Sequence, residues 1–266
     1  MEKTVAVIQA RMGSTRLPGK VLRDLCGKPV LAHVIQRVRQ MQTVDDIVIA
    51  TTTRDQDDVL ADLCGDLSVN CFRGSEADVL ARYYHAAREN HADHVVRITS
   101  DCPLYDPVVG DLVIDFYHDH GYDIVSNAGA LDSKRTYPPG LDTEVFSFRA
   151  LEEAFQLATE TYQREHVTPY IYEQQANRVY HFNYPEDFSH FRWTLDTPED
   201  YRLIQEVYDK LYRGEHDFYM MDIVALMKQA PHLPQLNASV RQKKYNAVEP
   251  VSERPISAHL GVGLKF

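Results

Sequence analysis

The stretch TVAVIQARMGSTRLPGK (residues 4–20) joins an apolar run to a loop rich in small and basic residues. Its first five residues, TVAVI (4–8), are mostly apolar and β-branched, which predicts a strand buried in a parallel sheet. The following residues place glycines, hydroxyl side chains, two arginines and a lysine in one turn-rich segment. Because ligands bind beyond the carboxyl ends of the strands in such sheets, this opening loop is the first candidate binding site.

Runs similar to TVAVI recur along the first half of the chain, at DIVIAT (46–51), VVRIT (95–99) and YDIVS (122–126). Between them, in residues 29–42 and 76–90, apolar side chains recur at the spacing of one helix face. Strands that alternate with helices, and that are nearly continuous in apolar residues, predict an α/β fold with a mainly parallel sheet.

The pattern changes after residue 127, where strands, loops and shorter helices are mixed. We expect further strands at LDTEVFSF (141–148), RVYHFNY (178–184) and FRWTLD (191–196). We expect helical segments at RALEEAFQLA (149–158), EHVTPYIYEQ (165–174), Pro198–Tyr212 and Asp217–Gln229. These elements indicate a single domain over residues 1–230, followed by a tail (231–266) that is either loose or packed against a partner.

The distribution of charge limits the partners of the chain. Its 266 residues carry a formal net charge of −11, which argues against general binding to nucleic acid or acidic membranes. Residues 1–40 contain eight basic and two acidic residues, a net charge of +6, so the remainder carries −17. A small basic patch on an acidic protein favours a small polyanion as the ligand.

The four cysteines, at positions 26, 64, 71 and 102, have neither the spacing of a metal knuckle nor that of a Cys-x-x-Cys redox pair. Reduced and mostly buried thiols in a cytoplasmic protein explain them better than a disulfide framework does. Residues 1–9 lead directly into the first strand, and we expect neither a signal peptide nor a membrane span.

The opening loop does not match two common phosphate-binding motifs. A P-loop has four residues between its first glycine and Gly-Lys, followed by Ser or Thr. Here five residues separate Gly13 from Gly19, and Val21 follows Lys20. The G-x-G-x-x-G fingerprint of dinucleotide-binding folds is also absent from the sequence.

The loop instead offers three side-chain cations, Arg11, Arg16 and Lys20, with Gly13 and Ser14 as groups that approach a ligand closely. Three cations on one loop suit a triphosphate or a pyrophosphate leaving group. The alternative is a solvated basic turn, which would be an unusual use of three cations among small residues.

Two aspartates at the ends of predicted strands are candidate metal ligands. Asp101 precedes a proline-containing turn, where a carboxylate either holds a hard cation or bonds to its own backbone. Asp196 precedes a helix that Thr197 and Asp200 are expected to cap. The cap accounts for Thr197 and Asp200 and leaves Asp196 as a candidate second ligand.

The second half contains further candidates. Asp142 and Glu144 are predicted on one strand face, where paired acids either bind sugar hydroxyls or simply face solvent. His166 is a candidate catalyst, with a packed or capping role as the commoner alternative. The histidines have no zinc-binding spacing, and no G-x-S-x-G motif supports an esterase.

Taken in order, these motifs resemble those of a known enzyme family. ARMGSTRLPGK (10–20) is similar to the signature of the sugar-acid cytidylyltransferases, which include CMP-Kdo synthetases and acylneuraminate cytidylyltransferases. The spore-coat polysaccharide (SpsF-type) branch is the most similar. The other segments that carry the resemblance, within about residues 4–205, are GKPVLAHVIQRV, RGSEADVLARYYHAA, TSDCPLYDP, GLDTEVF, EHVTPYIY and LDTPEDY.

The resemblance implies a Rossmann-like nucleotide-diphospho-sugar transferase fold. It also implies an enzyme that transfers CMP from CTP to a sugar acid and releases pyrophosphate. Residues 1–127 then form the CTP-binding half, and residues 128–230 form the half that binds the acceptor and makes a homodimer. The residues implied to line the CTP phosphates are Ala10, Arg11, Arg16 and Lys20. Ser75 is implied to approach the nucleoside, and Asp101 and Asp196 to hold Mg²⁺, with Mn²⁺ as a substitute.

Arg16, Lys20 and Asp101 are therefore the predicted catalytic residues, the first two because they stabilise charge on the leaving pyrophosphate. The predicted acceptor site comprises Asp142, Glu144, Arg135 and His166. Arg135 is included because an acidic acceptor needs a cation, a role that Lys134 and Arg192 also suit.

Two alternatives stay open at this point. One is an enzyme of the same fold that uses a sugar 1-phosphate with UTP or dTTP. The other is a non-catalytic protein that keeps the nucleotide pocket. The SDCP stretch (100–103) departs from the Gly-Asp-x-Pro form common in CMP-Kdo synthetases, so the resemblance does not identify Kdo as the acceptor.

Overall fold

The computed structural model describes residues 2–128, 134–174 and 176–241, so residues 242–266 of the expected tail lie outside the described residues. The strands are β1 (Thr4–Gln9), β2 (Asp24–Leu25), β3 (Lys28–Pro29), β4 (Asp46–Thr52), β5 (Asn70–Gly74), β6 (His94–Thr99), β7 (Ile124–Ser126), β8 (Glu144–Ser147) and β9 (Val179–His181). The helices are α1 (Val30–Val38), α2 (Asp58–Asp66), α3 (Val79–Glu89), α4 (Pro107–His120), α5 (Phe148–Leu157), α6 (Thr161–His166), α7 (Pro169–Glu173), α8 (Pro198–Leu211) and α9 (Met220–Gln229). In this part of the chain, no helix combines the length and the apolar character needed to cross a membrane.

A seven-stranded sheet forms the centre of the protein, in the order β5-β4-β1-β6-β8-β7-β9. β8 runs antiparallel to its neighbours β6 and β7, and the other neighbouring strands are parallel. The predicted α/β fold with a mainly parallel sheet is therefore confirmed. The carboxyl ends of β1, β4 and β6 lie side by side, because Gln9 pairs with Ala50 of β4 and with Thr99 of β6.

The two faces of the sheet bury separate cores, since side chains alternate along each strand. Ala6 and Ile8 of β1 pack with apolar residues of α1, α2 and α4 on one face. Val5 and Val7 pack with residues of α3, α5 and α7 on the other face. Burial on both faces explains why TVAVI shows no alternation of apolar and polar residues.

A third core lies beside the sheet, where α8 and α9 pack around residues 188–195. Trp193 is fully buried in this core, and Leu17 of the opening loop is 2% exposed within it. The third core therefore ties the opening loop of the first half to the last helices of the second half.

The strand predicted at FRWTLD (191–196) is wrong. Its backbone bonds go to two different loops, because the N–H of Trp193 donates to the carbonyl of Pro139 (2.7 Å) and that of Leu195 donates to the carbonyl of Asp101 (2.8 Å). All six residues are at most 9% exposed. The apolar pattern that predicts a strand comes instead from a buried connection, and Asp196 lies at the end of that connection.

The sequence patterns also do not predict β5, α2 or α4. β5 forms one end of the sheet, and its residues Asn70 and Cys71 are exposed, so it lacks the apolar run of the central strands. α4 begins at Pro107 after Asp106, whose carboxylate accepts the N–H of Val108 at 2.9 Å. Its start is therefore marked by capping chemistry more than by apolar spacing.

Two buried histidines connect α1 to the segment before α9. The Nε2 of His33 lies 2.6 Å from the carbonyl oxygen of Leu25, which only accepts, so this nitrogen carries a hydrogen. The Nδ1 of His33 then accepts from the Nε2 of His216, 2.9 Å away. Burial, together with the positive charges of Lys28 and Arg37, lowers the pKa of His33 to about 4 and that of His216 to about 3.

Gly140 allows the loop before β8 to meet the buried connection. Its φ is +110°, and a Cβ atom there would lie 2.6 Å from the carbonyl carbon of Trp193.

We expect Gly140→Ala to lower the free energy of unfolding by about 2 kcal/mol or more, because both the left-handed backbone and the overlap oppose a side chain. Gly214→Ala is the matched control, since Gly214 has a φ of +104° and a Cβ atom there would meet no atom of the described residues within 4 Å. Urea unfolding of both variants measures the difference, and equal losses would contradict the close approach.

The histidine pair predicts how stability depends on pH. Both folded-state pKa values lie below the unfolded value of about 6.5, so the unfolded chain binds more protons below that pH and stability falls as the pH is lowered. His216→Gln keeps a donor for His33 but does not titrate. Between about pH 7 and about pH 4.5, we expect the wild type to lose on the order of 2 kcal/mol more stability than this variant.

Urea midpoints measured at each pH test this expectation. His232→Gln is the control, because His232 is exposed and should leave the pH dependence unchanged. If His216→Gln shows the same pH dependence as the wild type, the destabilising titration belongs to other groups.

Candidate active site

Three segments meet at the carboxyl edge of the sheet: the opening loop after β1, the turn after β6 and the end of the buried connection. The Nζ of Lys20 lies 2.8 Å from Asp101 Oδ2 and 2.9 Å from Asp196 Oδ1. It also donates to the carbonyl oxygen of Leu195 at 2.9 Å. We call Lys20, Asp101 and Asp196 the lysine–aspartate site, whose members lie up to 176 residues apart in the sequence.

The backbone of the opening loop directs Lys20 to this position. Gly19 adopts a left-handed conformation (φ 65°, ψ 19°), which glycine tolerates without strain, and a single 3-10 turn begins at Lys20. The carbonyl of Met12 accepts the N–H groups of Ser14 (2.8 Å) and Gly19 (3.3 Å). The loop therefore folds back on itself, with Leu17 anchored in the third core.

Opposite charges within the lysine–aspartate site stabilise each other. Burial lowers the pKa of Lys20, but the attraction and hydrogen bonds of Asp101 and Asp196 outweigh burial and raise this pKa overall. Burial raises the pKa of Asp101, but Lys20 and the hydroxyl of Thr99, 2.6 Å from Asp101 Oδ1, lower it overall. At neutral pH, Lys20 is therefore a cation between two side-chain carboxyl groups.

Asp196 contacts two further cations. Arg16 Nη2 lies 3.0 Å from Asp196 Oδ2, and Arg192 Nη2 donates to the same oxygen at 2.6 Å. Arg192 is 9% exposed and also contacts the fully buried carboxylate of Asp200 at 3.1 Å. With Asp101, the cluster contains three cations and three acids, so its charges balance without a ligand.

Three of the predicted nucleotide-binding residues, Ala10, Arg11 and Gly13, lie near the ends of β4 and β5. Ala10 is 3% exposed, and its N–H donates to a carbonyl of β4 at 3.2 Å. A Cβ atom on Gly13 would lie 3.3 Å from Gln56 Nε2 and 3.4 Å from Glu76 Oε1. Arg11 Nη1 lies 4.0 Å from the carboxylate of Glu76. The structure therefore brings this loop against the segments that follow β4 and β5.

The two serines predicted at the nucleotide orient short turns. Ser14 Oγ accepts the N–H of Leu17 at 3.4 Å, and Ser75 Oγ accepts the N–H of Asp78 at 3.2 Å. Ser75 lies just beyond the end of β5, next to Glu76, so it belongs to the segment that faces Gly13.

Asp57 is a site residue that the sequence patterns do not single out. Its side chain is fully buried, and its carboxylate accepts the N–H of Met12 at 2.7 Å and the hydroxyl of Thr52. Asp57 thereby fixes the start of the opening loop to the end of β4. The sequence indicates only that Asp57 follows shortly after a strand. Asp55 and Asp58 follow the same strand, so their positions do not distinguish Asp57 from them.

In the second half, Arg135 and Asp142 form an ion pair, and Arg135 Nε donates to the carbonyl of Tyr137 at 3.0 Å. Burial raises the pKa of the Cys102 thiol, and the negative charges of Asp101 and Asp142 raise it further. Arg135 and Asp142 neutralise each other's charge in the loop that precedes β8.

Glu144 lies apart from this ion pair, in the interior. Its carboxylate pairs with Arg97 and accepts the hydroxyls of Thr168 (3.0 Å) and Tyr172 (2.6 Å). The expectation that Asp142 and Glu144 share one strand face is wrong, because β8 begins at Glu144 and Asp142 lies in the preceding loop. A contact between Glu144 and an acceptor stays a prediction.

His166 is half-buried at the end of α6. The next residue, Val167, is fully buried with a φ of 75°, a strained conformation for a β-branched side chain. The N–H of Thr168 donates to the carbonyl of His166 at 2.9 Å and closes this turn. The turn places Thr168 against Glu144, and a catalytic role for His166 stays a prediction.

Within the described residues, no group of three or more His, Cys, Asp or Glu side chains is arranged to hold a metal ion. Asp101 and Asp196 do form a pair that holds a cation, the ammonium group of Lys20. Two carboxyl groups suit an ion that takes its other ligands from a substrate and from water.

Comparisons with known proteins show the family to which the chain belongs. The family model described as cytidylyltransferase matches residues 5–244. The spore coat polysaccharide biosynthesis protein SpsF of Bacillus subtilis is 36% identical over 241 residues, covering 87% of this chain and 96% of that protein. An uncharacterized protein of Methanocaldococcus jannaschii is 38% identical over 253 residues, covering 93% of this chain and 99% of that protein.

Among solved structures, a cytidylyltransferase from Leptospira borgpetersenii matches with a TM-score of 0.81 and 30% sequence identity. The match covers 92% of this chain and 100% of that one. The residues matched by the family model include all three members of the lysine–aspartate site. The chain therefore belongs to the cytidylyltransferase family and is a nucleotidyltransferase.

Proposed function

We propose that this protein transfers CMP from CTP to an acidic sugar or a related small acid, with release of pyrophosphate. The observation that carries the proposal is the position of Lys20 between Asp101 and Asp196, with Arg16 on the other carboxylate oxygen of Asp196. The similarity to SpsF and the sugar-acid motifs of the sequence support a role in the biosynthesis of a surface polysaccharide or glycoconjugate.

The balance of charge in the site indicates how it accepts a triphosphate. Lys20 and Arg16 are engaged by carboxyl groups, so they can turn to phosphate oxygens only if another cation neutralises Asp101 and Asp196. Mg²⁺, with Mn²⁺ as a substitute, fits this pair, because it commonly takes one or two carboxylates together with phosphates and water. When bound there, the ion would act as a Lewis acid on the phosphate oxygens.

In this proposal, Arg16 and Lys20 act on the leaving group. An oxygen of the acceptor attacks the α-phosphorus of CTP, and pyrophosphate leaves in line with it. Negative charge builds on the pyrophosphate as the bond breaks. The planar guanidinium of Arg16 and the point charge of Lys20 stabilise that charge more strongly than they stabilise the intact triphosphate.

The acceptor approaches, in this proposal, from the side of Arg135 and Asp142. Arg135 provides a cation for the acid group of the acceptor, and Asp142 accepts hydrogen bonds from its hydroxyls. The contact of the loop before β8 with the buried connection supports this direction, since the N–H of Trp193 donates to the carbonyl of Pro139 at 2.7 Å and Asp196 ends that connection. Homodimer formation and a cytoplasmic location, which the sequence also predicts, stay predictions.

Incubation with CTP, UTP or dTTP and a panel of acidic sugars, hydroxy acids and sugar 1-phosphates tests the proposal. Mass spectrometry should find a CMP-linked product and an equal amount of pyrophosphate with CTP and an acidic acceptor. Turnover of UTP or dTTP with a sugar 1-phosphate would favour the first alternative. Nucleotide binding without turnover of any acceptor would favour the non-catalytic alternative.

The same assay tests the role of Lys20. We expect Lys20→Ala to lower kcat on the order of 100-fold, because it removes a charge that acts mainly in the transition state. Lys210→Ala is the matched control, since Lys210 forms an exposed ion pair with Glu206 on α8. If a folded Lys20→Ala protein turns over at the wild-type rate, Lys20 joins the segments of the site but does not act on the leaving group.

Removal of the metal tests the carboxylate pair. We expect EDTA to abolish turnover and Mg²⁺ or Mn²⁺ to restore it. Asp101→Asn and Asp196→Asn should each lose most activity, and the double variant should be little worse than the worse single one, because both act through one ion. Asp66→Asn, on the exposed side of α2, serves as the control. Full activity in EDTA would contradict the metal site. If the Asp196→Asn variant is active, Asp101 alone of the two aspartates binds the metal ion.

A further inference from the structure

The segment after α9 returns to the lysine–aspartate site. Leu233 is fully buried in the third core, and Asn237 is 3% exposed. The Nδ2 of Asn237 donates to Asp200 Oδ1 at 2.8 Å and to the carbonyl oxygen of Arg192 at 2.9 Å. Asn237, which belongs to the expected tail (231–266), thus contacts both Arg192 and Asp200, the two residues that bond to Asp196.

Asp200 receives more hydrogen bonds than a helix cap requires. In the capping box of α8, the N–H of Asp200 donates to Thr197 Oγ1 at 3.3 Å, and Asp200 Oδ2 accepts the N–H of Thr197 at 3.0 Å. The same Oδ2 also accepts the N–H of Asp196 at 3.0 Å. Asp200 therefore holds the backbone of Asp196 directly, in addition to starting the helix.

Arg192 holds the side chain of the same residue. Its Nε lies 3.1 Å from Asp200 Oδ1, and its Nη2 donates to Asp196 Oδ2 at 2.6 Å. The fully buried carboxylate of Asp200 needs these partners, because a buried charge is stable only when it is paired and hydrogen-bonded. Asp200 and Arg192 therefore fix both the backbone and the carboxyl group of Asp196, and Asn237 bonds to both of them.

We propose that Asn237 is a positioning residue for nucleotidyl transfer, which acts through Asp200 and Arg192 to hold the carboxyl group of Asp196 at the lysine–aspartate site. The part of this proposal that concerns the nucleotide rests on the proposed function. Asn237 itself touches no reacting atom. Loss of its side chain leaves Asp200 with one donor fewer and the carbonyl of Arg192 without this partner, so the orientation of Asp196 loosens.

The test compares Asn237→Ala and Asn237→Ser with the wild type in the full chain. Hydrogen exchange of the amides of Asp196 and Thr197, which donate to Asp200, reports the network without any ligand. We expect these two amides to exchange about tenfold faster in Asn237→Ala than in the wild type, relative to core amides of β1. Affinity for Mn²⁺ in the presence of CTP, followed by electron paramagnetic resonance, should weaken about tenfold or more.

Asn90→Ala is the matched control. Asn90 also donates its Nδ2 to a carbonyl, that of Ala86 at 2.8 Å. It lies at the carboxyl end of α3, whereas the segment that faces Gly13 precedes the start of this helix. This variant should leave both readouts unchanged. Asn237→Ser retains one donor and should fall between the wild type and Asn237→Ala, and it provides the measurement if the alanine variant does not fold.

Two results separate this inference from the proposed function. If both Asn237 variants keep wild-type exchange at Asp196 and Thr197 and wild-type affinity for Mn²⁺ with CTP, Asn237 is structural only and the inference is overturned. If the wild type itself binds no Mn²⁺ with CTP, the proposed function fails, while the exchange of the two amides still decides whether Asn237 positions Asp196.

Discussion

The ion pairs of Lys20 with Asp101 and Asp196 are the interaction on which the site depends. They join the opening loop, the turn after β6 and the buried connection, three segments that are far apart in the sequence. The carboxylates of Asp101 and Asp196 both lie within 2.9 Å of the Nζ of Lys20, and they would repel each other without a cation between them. The ammonium group of Lys20 therefore holds the two carboxyl groups together at the carboxyl edge of the sheet.

The residues around these ion pairs explain how the geometry is maintained. Asp57 fixes the start of the opening loop to β4, and Gly19 turns its end toward the site. On the other side, Arg192 and Asp200 hold Asp196 from behind. The contacts of Asp57, Arg192 and Asp200 are polar contacts of buried side chains, which are strong only when every partner is satisfied. The framework thus sets the positions of Asp101 and Asp196 before substrate binds, whereas Lys20 and Arg16 are held by these carboxyl groups in the free protein.

The sequence predicts well those features that depend on local pattern. The apolar strands β1, β4 and β6 are evident because they are buried on both faces, and the start of α8 follows from the capping signals at Thr197 and Pro198. The rule that ligands lie beyond strand ends also indicates that Lys20 and Asp101 share one edge of the sheet. Asp196 is also singled out, as the carboxylate that the cap of α8 does not use, although the sequence assigns it to the end of a strand that does not form.

Features that depend on contacts between distant segments could not be predicted in this way. Asp57 ends the 3-10 turn before α2, and Asn237 lies in the segment after α9, and only the folded chain shows that each is buried against a part of the site. The separation of Asp142 from Glu144 has the same origin, because the partners of Glu144 come from β6 and from the segment around α7. A sequence pattern records spacing along the chain, whereas these roles are set by tertiary neighbours.

A crystal structure with bound CTP and Mn²⁺ tests the central claim most directly, since anomalous scattering locates the metal ion without ambiguity. We predict the ion between Asp101 and Asp196, with the Nζ of Lys20 moved from the two carboxyl groups to oxygens of the β- or γ-phosphate. CTP bound with Lys20 still between Asp101 and Asp196, or with the ion held by other side chains, would contradict the claim.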